Sequence, residues 1–291
     1  MAALVDERRS RVVLGLDPDP AALWPDGHAQ EEGTPAELAA AAVTRHCRAA
    51  VEAAGHACVA VKLQLACFER LGAPGWTALA ETRDVAREHG LLVFADGKRG
   101  DVPVTAAAYA QSLVGSTPSS HGDVPGFGAD AFTANPLLGR DSLEPLVDAA
   151  AAGGAGCFVL VNTSNPGAAD LQDLDAGGAP LHERLAELVE EMGAVHVADC
   201  GLSLVGAVVG ATRPERLARM RELMPRAIFL LPGVGAQGGS GGDLGPAFEP
   251  HPAAGLVAAS RSIVNAHTKT GGDPPLAAEA AAEELRALTW K

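Results

Sequence analysis

The sequence has no apolar run approaching the length of a membrane span, which takes about 20 predominantly apolar residues. Its N-terminus, MAALVDERRS, lacks the apolar core of a secretory signal. The expected location is the cytoplasm. Basic residues are scarce: 22 Lys and Arg stand against 36 Asp and Glu, a formal net charge of −14. That balance argues against a nucleic-acid partner, which needs a basic surface to neutralise phosphates. The five cysteines, Cys47, Cys58, Cys67, Cys157 and Cys200, are an odd number and contain no C-x-x-C pair. Neither a disulfide framework nor a zinc knuckle is indicated, and buried free thiols are expected. Tandem repeats and shifts in composition are also missing, so residues 1–291 read as one domain.

What is present is apolar and periodic. A chain of 291 residues with 47% hydrophobic content can bury a large core. Short apolar, β-branched runs recur as RVVLGLD from 11, ACVAVKL from 57, LLVFAD from 91, ADAFTAN from 129, CFVLVN from 157, VGAVVGA from 205, AIFLLPG from 227 and GLVAAS from 255. Ala- and Leu-rich segments with helical spacing alternate with them at 35–54, 76–89, 140–152, 180–193 and 213–223. Strands that are apolar throughout are buried on both faces, as in a parallel sheet flanked by helices. Eight such units fit a (β/α)8 TIM barrel, with an open doubly wound sheet as the alternative. Gly-, Pro- and Ser-rich stretches at 115–128, 238–252 and 266–275 read as loops. The second follows a strand end and suits a lid.

Polar residues gather at the ends of these strands: Asp17, Lys62, Asp96 with Lys98 and Asp101, Asn135, Ser164 with Asn165, Gln237 and Arg261. In a barrel every strand C-terminus opens on one face, so residues far apart in sequence meet there. The densest group is FADGKRGD, residues 94–101. Asp96 and Lys98, two apart, share one side of a strand end, and Asp101 can return to them from the next helical turn. Alternating carboxylates and ammoniums keep one another ionised in a partly dry pocket. Alone, the segment equally suits a solvated turn before a helix, and Lys62 alone a snorkelling lysine. The glycines of LLPGVGAQGG, 230–239, and Arg261 one strand later suit a phosphate, which barrel loops seven and eight commonly hold.

With Thr105, the core Asp96, Lys98, Arg99 and Asp101 forms a D-x-K-R-x-D pattern followed by Thr. Together with VKLQLACFE (61–69), TANPLLGRDSLEP (133–145), VNTSNPGAADLQ (161–172), VVGAT (208–212), LPGVGAQGG (231–239) and SRSI (260–263), it resembles the orotidine 5′-phosphate decarboxylase family, in its longer bacterial subgroup. The match runs from the first strand to the last. Gly97, the run VPVT after Asp101 and the insertion at 115–128 depart from the pattern.

The resemblance implies a decarboxylase that converts orotidine 5′-phosphate to UMP without metal or organic cofactor. It implies that Lys62, Asp96, Lys98 and Asp101 form a catalytic charged array, with Lys98 stabilising a C6 carbanion and supplying its proton. Asp17 would bind the ribose, Ser164 the pyrimidine, and Gln237 and Arg261 the phosphate. Asp101 and Thr105 would reach the site of a second subunit, making a homodimer. One rival is a metal-dependent phosphosugar lyase or isomerase on the same barrel, which carries a Glu where Lys62 stands. Another is a nucleotide-binding relative without catalysis.

Overall fold

The computed structural model describes residues 1–25, 32–211, 213–234 and 241–290. Among them, eight parallel strands close into a barrel: β1 (Val12–Leu16), β2 (Ala60–Gln64), β3 (Leu92–Arg99), β4 (Ala131–Ala134), β5 (Gly156–Asn162), β6 (Val205–Val209), β7 (Phe229–Pro232) and β8 (Gly255–Ala259). Each strand pairs with its sequence neighbours, and Val12 opposite Val257 closes the ring from β1 to β8. The expected (β/α)8 barrel is therefore the fold, and the open sheet is set aside.

Strand periodicity divides the core in two. Outward residues such as Val12, Leu14, Val61, Leu63, Phe132 and Val257 pack under the helices. Inward residues, among them Val13, Ala60, Phe94, Ala131, Phe158, Val208, Leu230 and Leu256, fill the barrel itself. The Phe94 and Phe158 rings meet there at 5.4 Å between centroids. Opposite the strand C-termini the barrel floor is closed by helix α1 (Ala2–Arg8), which the sequence pattern did not announce. Its Val5 is fully buried in the inner cluster. The Arg8 guanidinium donates to the carbonyls of Gly55, Cys58, His89 and Gly90, fastening this plug to the turns that precede β2 and β3.

The expected helices are all present. α2 (Pro35–Ala54) starts with a capping box between Thr34 and Glu37, which satisfies two otherwise orphaned amide donors. α4 (Ala73–Glu88) follows the short α3 (Leu65–Glu69), and α5 (Pro103–Leu113) forms directly behind the charged motif, with Pro103 at its first position. α6 (Arg140–Gly153), α7 (Ala169–Gln172), α8 (Leu181–Gly193) and α9 (Pro214–Leu223) complete the outer layer up to β7. After β8 come α10 (Arg261–Val264), α11 (His267–Thr270) and α12 (Pro274–Thr289). The stretch 266–275 is thus not wholly loop, because Asp273 caps α12 by accepting from the Leu276 amide.

Two insertions carry more order than expected. Within 115–128, Ser116–Thr117 pairs antiparallel with Val124–Pro125, and Arg83 donates to the Phe127 carbonyl at 2.8 Å. In the segment between β7 and β8, residues 241–248 form a 3-10 helix. Arg221 of α9, buried, holds its end by donating to Pro246, Ala247 and Ala254 carbonyls and also to Met224 and Ala227. Burial pushes its pKa down to about 10, so it remains a cation at neutral pH while lying over the Phe229 ring. All five thiols are free. Cys47, Cys58 and Cys157 are buried as expected and burial raises each to about 12, whereas Cys67 is half-buried and Cys200 exposed.

Candidate active site

At the C-terminal end of the barrel the inward positions change from apolar to polar. β1, β2, β3 and β4 point Val13, Ala60, Phe94 and Ala131 into the core. Moving along each strand in steps of two leads to Asp17, Lys62 and Gln64, Asp96, and Thr133, because alternate residues share a face. These five form one connected network. The Lys62 ammonium lies 2.7 Å from Asp96 Oδ2 and 3.6 Å from Asp17 Oδ1. Lys98 Nζ is 2.7 Å from Asp96 Oδ1. The charges therefore alternate in a row: Asp17, Lys62, Asp96, Lys98.

Asp96 is the hub. Lys62 and Gln64 (3.2 Å) donate to its Oδ2, while Lys98 and the Thr133 hydroxyl (2.9 Å) donate to its Oδ1. Four donors saturate a carboxylate that is only 4% exposed. Burial alone would raise its pKa. The adjacent ammonium charges and their hydrogen bonds outweigh that penalty and hold it at about 2. For Lys62 burial works against the charge, but Asp96 and Asp17 overcome it and move its pKa upward. The two ends of the row are open to solvent while its middle is buried: the Lys98 and Asp17 side chains remain 38% and 36% exposed.

The backbone beneath Lys98 is unusual. β3 leaves register with β4 after Ala95 opposite Phe132 and regains it at Arg99 opposite Ala134, and within this bulge Lys98 has φ +47°. That is the left-handed region, which side chains with a Cβ rarely occupy. The Lys98 amide donates to Thr133 Oγ1 at 2.9 Å. Arg99 turns away to pair with Glu69 of α3 and lies against the Tyr109 ring of α5. A Cβ at Gly97 would lie 2.7 Å from Leu65 Cδ1, a contact that a small shift of that side-chain tip would relieve.

Asp17 and Lys62 also border a cavity of about 160 Å³ with Gly233, Val234, Ser260 and Arg261. Arg261, exposed at the start of α10, accepts the Asn265 amide on its carbonyl, while its side chain makes no hydrogen bond or ion pair among the described residues. Ser164 stands half-buried two residues beyond β5. Its loop is tied down by Gln172, whose carboxamide oxygen accepts from the Thr163 amide and the Asn162 side chain. Gln237 lies outside the described residues.

Two expectations need correction within the single chain. Asp101 does not return to the array: its carboxylate accepts from the Val102 amide at 2.8 Å, and Thr105 sits half-buried one turn into α5. Asn135 belongs to a turn, its Oδ1 accepting from the Leu137 amide. The fourth strand instead contributes Thr133, which together with Gln64 the motif reading missed. Both sit at the inward parity of their strands, a signal that counting in twos from Ala60 and Ala131 would have given. Among the described residues no group of three His, Cys, Asp or Glu side chains is arranged to hold a metal ion.

Residues 10–271 match the family model described as Orotidine 5′-phosphate decarboxylase / HUMPS family. The chain is 45% identical over 230 residues to an orotidine 5′-phosphate decarboxylase of Rhodopirellula baltica, covering 79% of this chain and 75% of that one. A Deinococcus radiodurans relative of the same name is 42% identical over 279 residues, or 96% of this chain and 92% of its own. Among solved structures, Leishmania donovani OMP decarboxylase superposes with a TM-score of 0.74 at 33% identity, with all of both chains covered.

The depressed Asp96 pKa has a measurable consequence. A group that ionises more readily when folded stabilises the fold above its unfolded pKa of 3.8, and that stabilisation disappears as pH falls through about 2. The stability difference between wild type and Asp96→Asn should be constant above about pH 5 and narrow by about 1 kcal/mol by about pH 3. Denaturant titrations across that range test it, and a pH-independent difference would mean that Asp96 is not held in its charged form by the lysines.

Proposed function

The chain belongs to the orotidine 5′-phosphate decarboxylase family, and from that premise we infer that it decarboxylates orotidine 5′-phosphate to UMP in pyrimidine biosynthesis. The observation that carries the reading at the level of chemistry is the row Asp17, Lys62, Asp96, Lys98, with its buried hub and its accessible terminal ammonium.

Breaking the bond between C6 and the carboxylate releases carbon dioxide and leaves the electron pair on C6, in an orbital with no adjacent electron sink. Stabilisation must then come from fixed charge. Lys98 supplies it: an ammonium already locked to Asp96 needs no reorganisation as the carbanion develops. The same ammonium then gives a proton to C6, and the resulting amine recovers one from solvent, to which its side chain is open. Asp96 keeps Lys98 oriented, and Lys62 with Asp17 continues the row towards the ribose. Arg261, with the backbone at Gly233 and Val234 across the same small cavity, suits the 5′-phosphate. Gln237 is assigned to that phosphate and Ser164 to the pyrimidine by the family resemblance. Binding of this remote dianion can be used at the reacting carbon.

The array ends on Lys98 with a single carboxylate partner among the described residues, while the Asp101 carboxylate of the same chain accepts from the Val102 amide. Around Asp101 and Thr105 the surface is apolar: Val102, Val104 and Leu137 are 52%, 85% and 67% exposed. Such a patch favours burial against another protein. In this reading two copies associate through it, and Asp101 and Thr105 of each complete the site of the other.

Purified protein should convert orotidine 5′-phosphate to UMP, followed by loss of substrate absorbance, at a rate unaffected by excess chelator. Absence of turnover would remove the reading, and activity restored only by added magnesium would replace it with metal-assisted chemistry.

Mixing inactive Asp101→Ala with inactive Lys98→Ala should restore part of the activity, since one hybrid site then has both contributions intact. If labelled subunits exchange and activity stays absent, Asp101 serves its own chain.

Arg261→Ala should lower kcat/KM for orotidine 5′-phosphate by roughly 100-fold, the loss of a bidentate charged contact, and barely affect the phosphate-free nucleoside. Equal losses on both substrates would remove Arg261 from the phosphate.

A further inference from the structure

We propose that Thr133 is a positioning residue for the decarboxylation, whose hydroxyl fixes Asp96 and Lys98 in their working arrangement. Its kinetic part rests on the function inferred above. A threonine hydroxyl has one hydrogen to give and lone pairs to receive, and here both capacities are used on the array. The hydrogen goes to Asp96 Oδ1 and the oxygen accepts the Lys98 amide, each at 2.9 Å. Thr133 is 1% exposed, so a water molecule is poorly placed to take over either bond.

The geometry explains why this hydroxyl is needed. Between Ala95 and Arg99 three residues of β3 stand against one of β4, Thr133, so regular ladder pairing lapses where the chemistry lies. An amide in that gap loses its strand partner, and a buried unpaired N–H is costly. Thr133 replaces the missing carbonyl for Lys98 and thereby holds a backbone conformation, φ +47°, that Lys98 would otherwise leave. The Lys98 ammonium is aimed by that backbone. On the acid side, the charged and polar groups facing Asp96 are Lys62 and Gln64 from β2 and Lys98 from β3, with Asp17, one residue past β1, beyond Lys62. Thr133 is the contribution of β4. Remove its hydroxyl, and Asp96 Oδ1 retains Lys98 alone just as Lys98 loses its backbone anchor.

The experiment compares wild type, Thr133→Val and Thr133→Ser as full-length protein. It measures kcat and KM for orotidine 5′-phosphate, UMP affinity, and the titration of the Asp96 carboxyl by carbon NMR. Displacement of a reacting group by about an ångström costs on the order of 100-fold. Thr133→Val should therefore lose roughly 10- to 100-fold in kcat, with KM and UMP affinity within about threefold of wild type. Its Asp96 should titrate at higher pH, and Thr133→Ser should recover most of both properties. Should Thr133→Val not fold, Thr133→Cys keeps a similar volume with a far weaker donor and acceptor, and the same outcomes apply. Unchanged kcat with unchanged Asp96 titration overturns the proposal, as does a Ser variant as impaired as the Val variant, which would mark a packing role. If wild type has no activity on orotidine 5′-phosphate, the functional reading fails by itself, and the Asp96 titration still decides whether Thr133 organises the array.

Discussion

A carboxylate removed from water must find its hydrogen bonds in the protein, and Asp96 finds them on three adjacent strands. Lys62 and Gln64 reach it from β2, Lys98 from its own strand and Thr133 from β4. Each donor arrives only if its strand keeps register, because a shift of one residue would turn the inward side chains outward. The ion-pair row and the barrel are thus mutually dependent. Strand pairing brings charges together at a buried point, and the cost of leaving that charge unpaired penalises any other pairing.

The rest of the molecule keeps this end of the barrel rigid while allowing access to it. Aromatic and aliphatic side chains fill the interior below the array, with Phe94 two residues before Asp96 on the same face. The floor is closed by α1 through Val5 and the Arg8 carbonyl contacts. Arg221 fastens the returning part of the connection between β7 and β8 by donating to the Pro246, Ala247 and Ala254 carbonyls. Accessible side chains, Lys98 and Asp17, stand where the inward positions become polar. A packed barrel whose chemistry lies on the loops and strand ends of one face is the general economy of this architecture.

Much of this is legible in the sequence, for identifiable reasons. Continuous apolar runs separated by helical patterns identify a parallel α/β barrel because burial on both strand faces leaves no room for alternation. Lys62, Asp96 and Lys98 stood out because charge at the end of an apolar strand is costly and therefore informative. Thr133 and Gln64 were silent because neutral polar residues carry no such penalty, and only strand parity sets them apart. The left-handed backbone at Lys98 was hidden for a different reason: it arises from a mismatch between β3 and β4, and a mismatch is a property of two segments. Asp101 was misjudged by spacing alone, since the bulge and the entry to α5 turn its carboxylate to the Val102 amide. Helix α1, seven residues long, is too short for its periodicity to be distinctive.

The closure of β1 on β8 has a consequence for biosynthesis. Val12 and Val257 are partners across almost the whole length of the chain, and contacts between such distant residues form slowly because a very large loop must first be ordered. During translation β1 emerges early and its far partner last. Until then it presents one unpaired edge, rich in valine and leucine, of the kind that recruits other strands. The sequence between them gives β1 its neighbour β2 much sooner, through the pairs from Val13 with Ala60 to Leu16 with Leu63. A nascent chain would therefore grow as an open, curling sheet with a persistent sticky margin, and the last strand to leave the ribosome is the one that seals it.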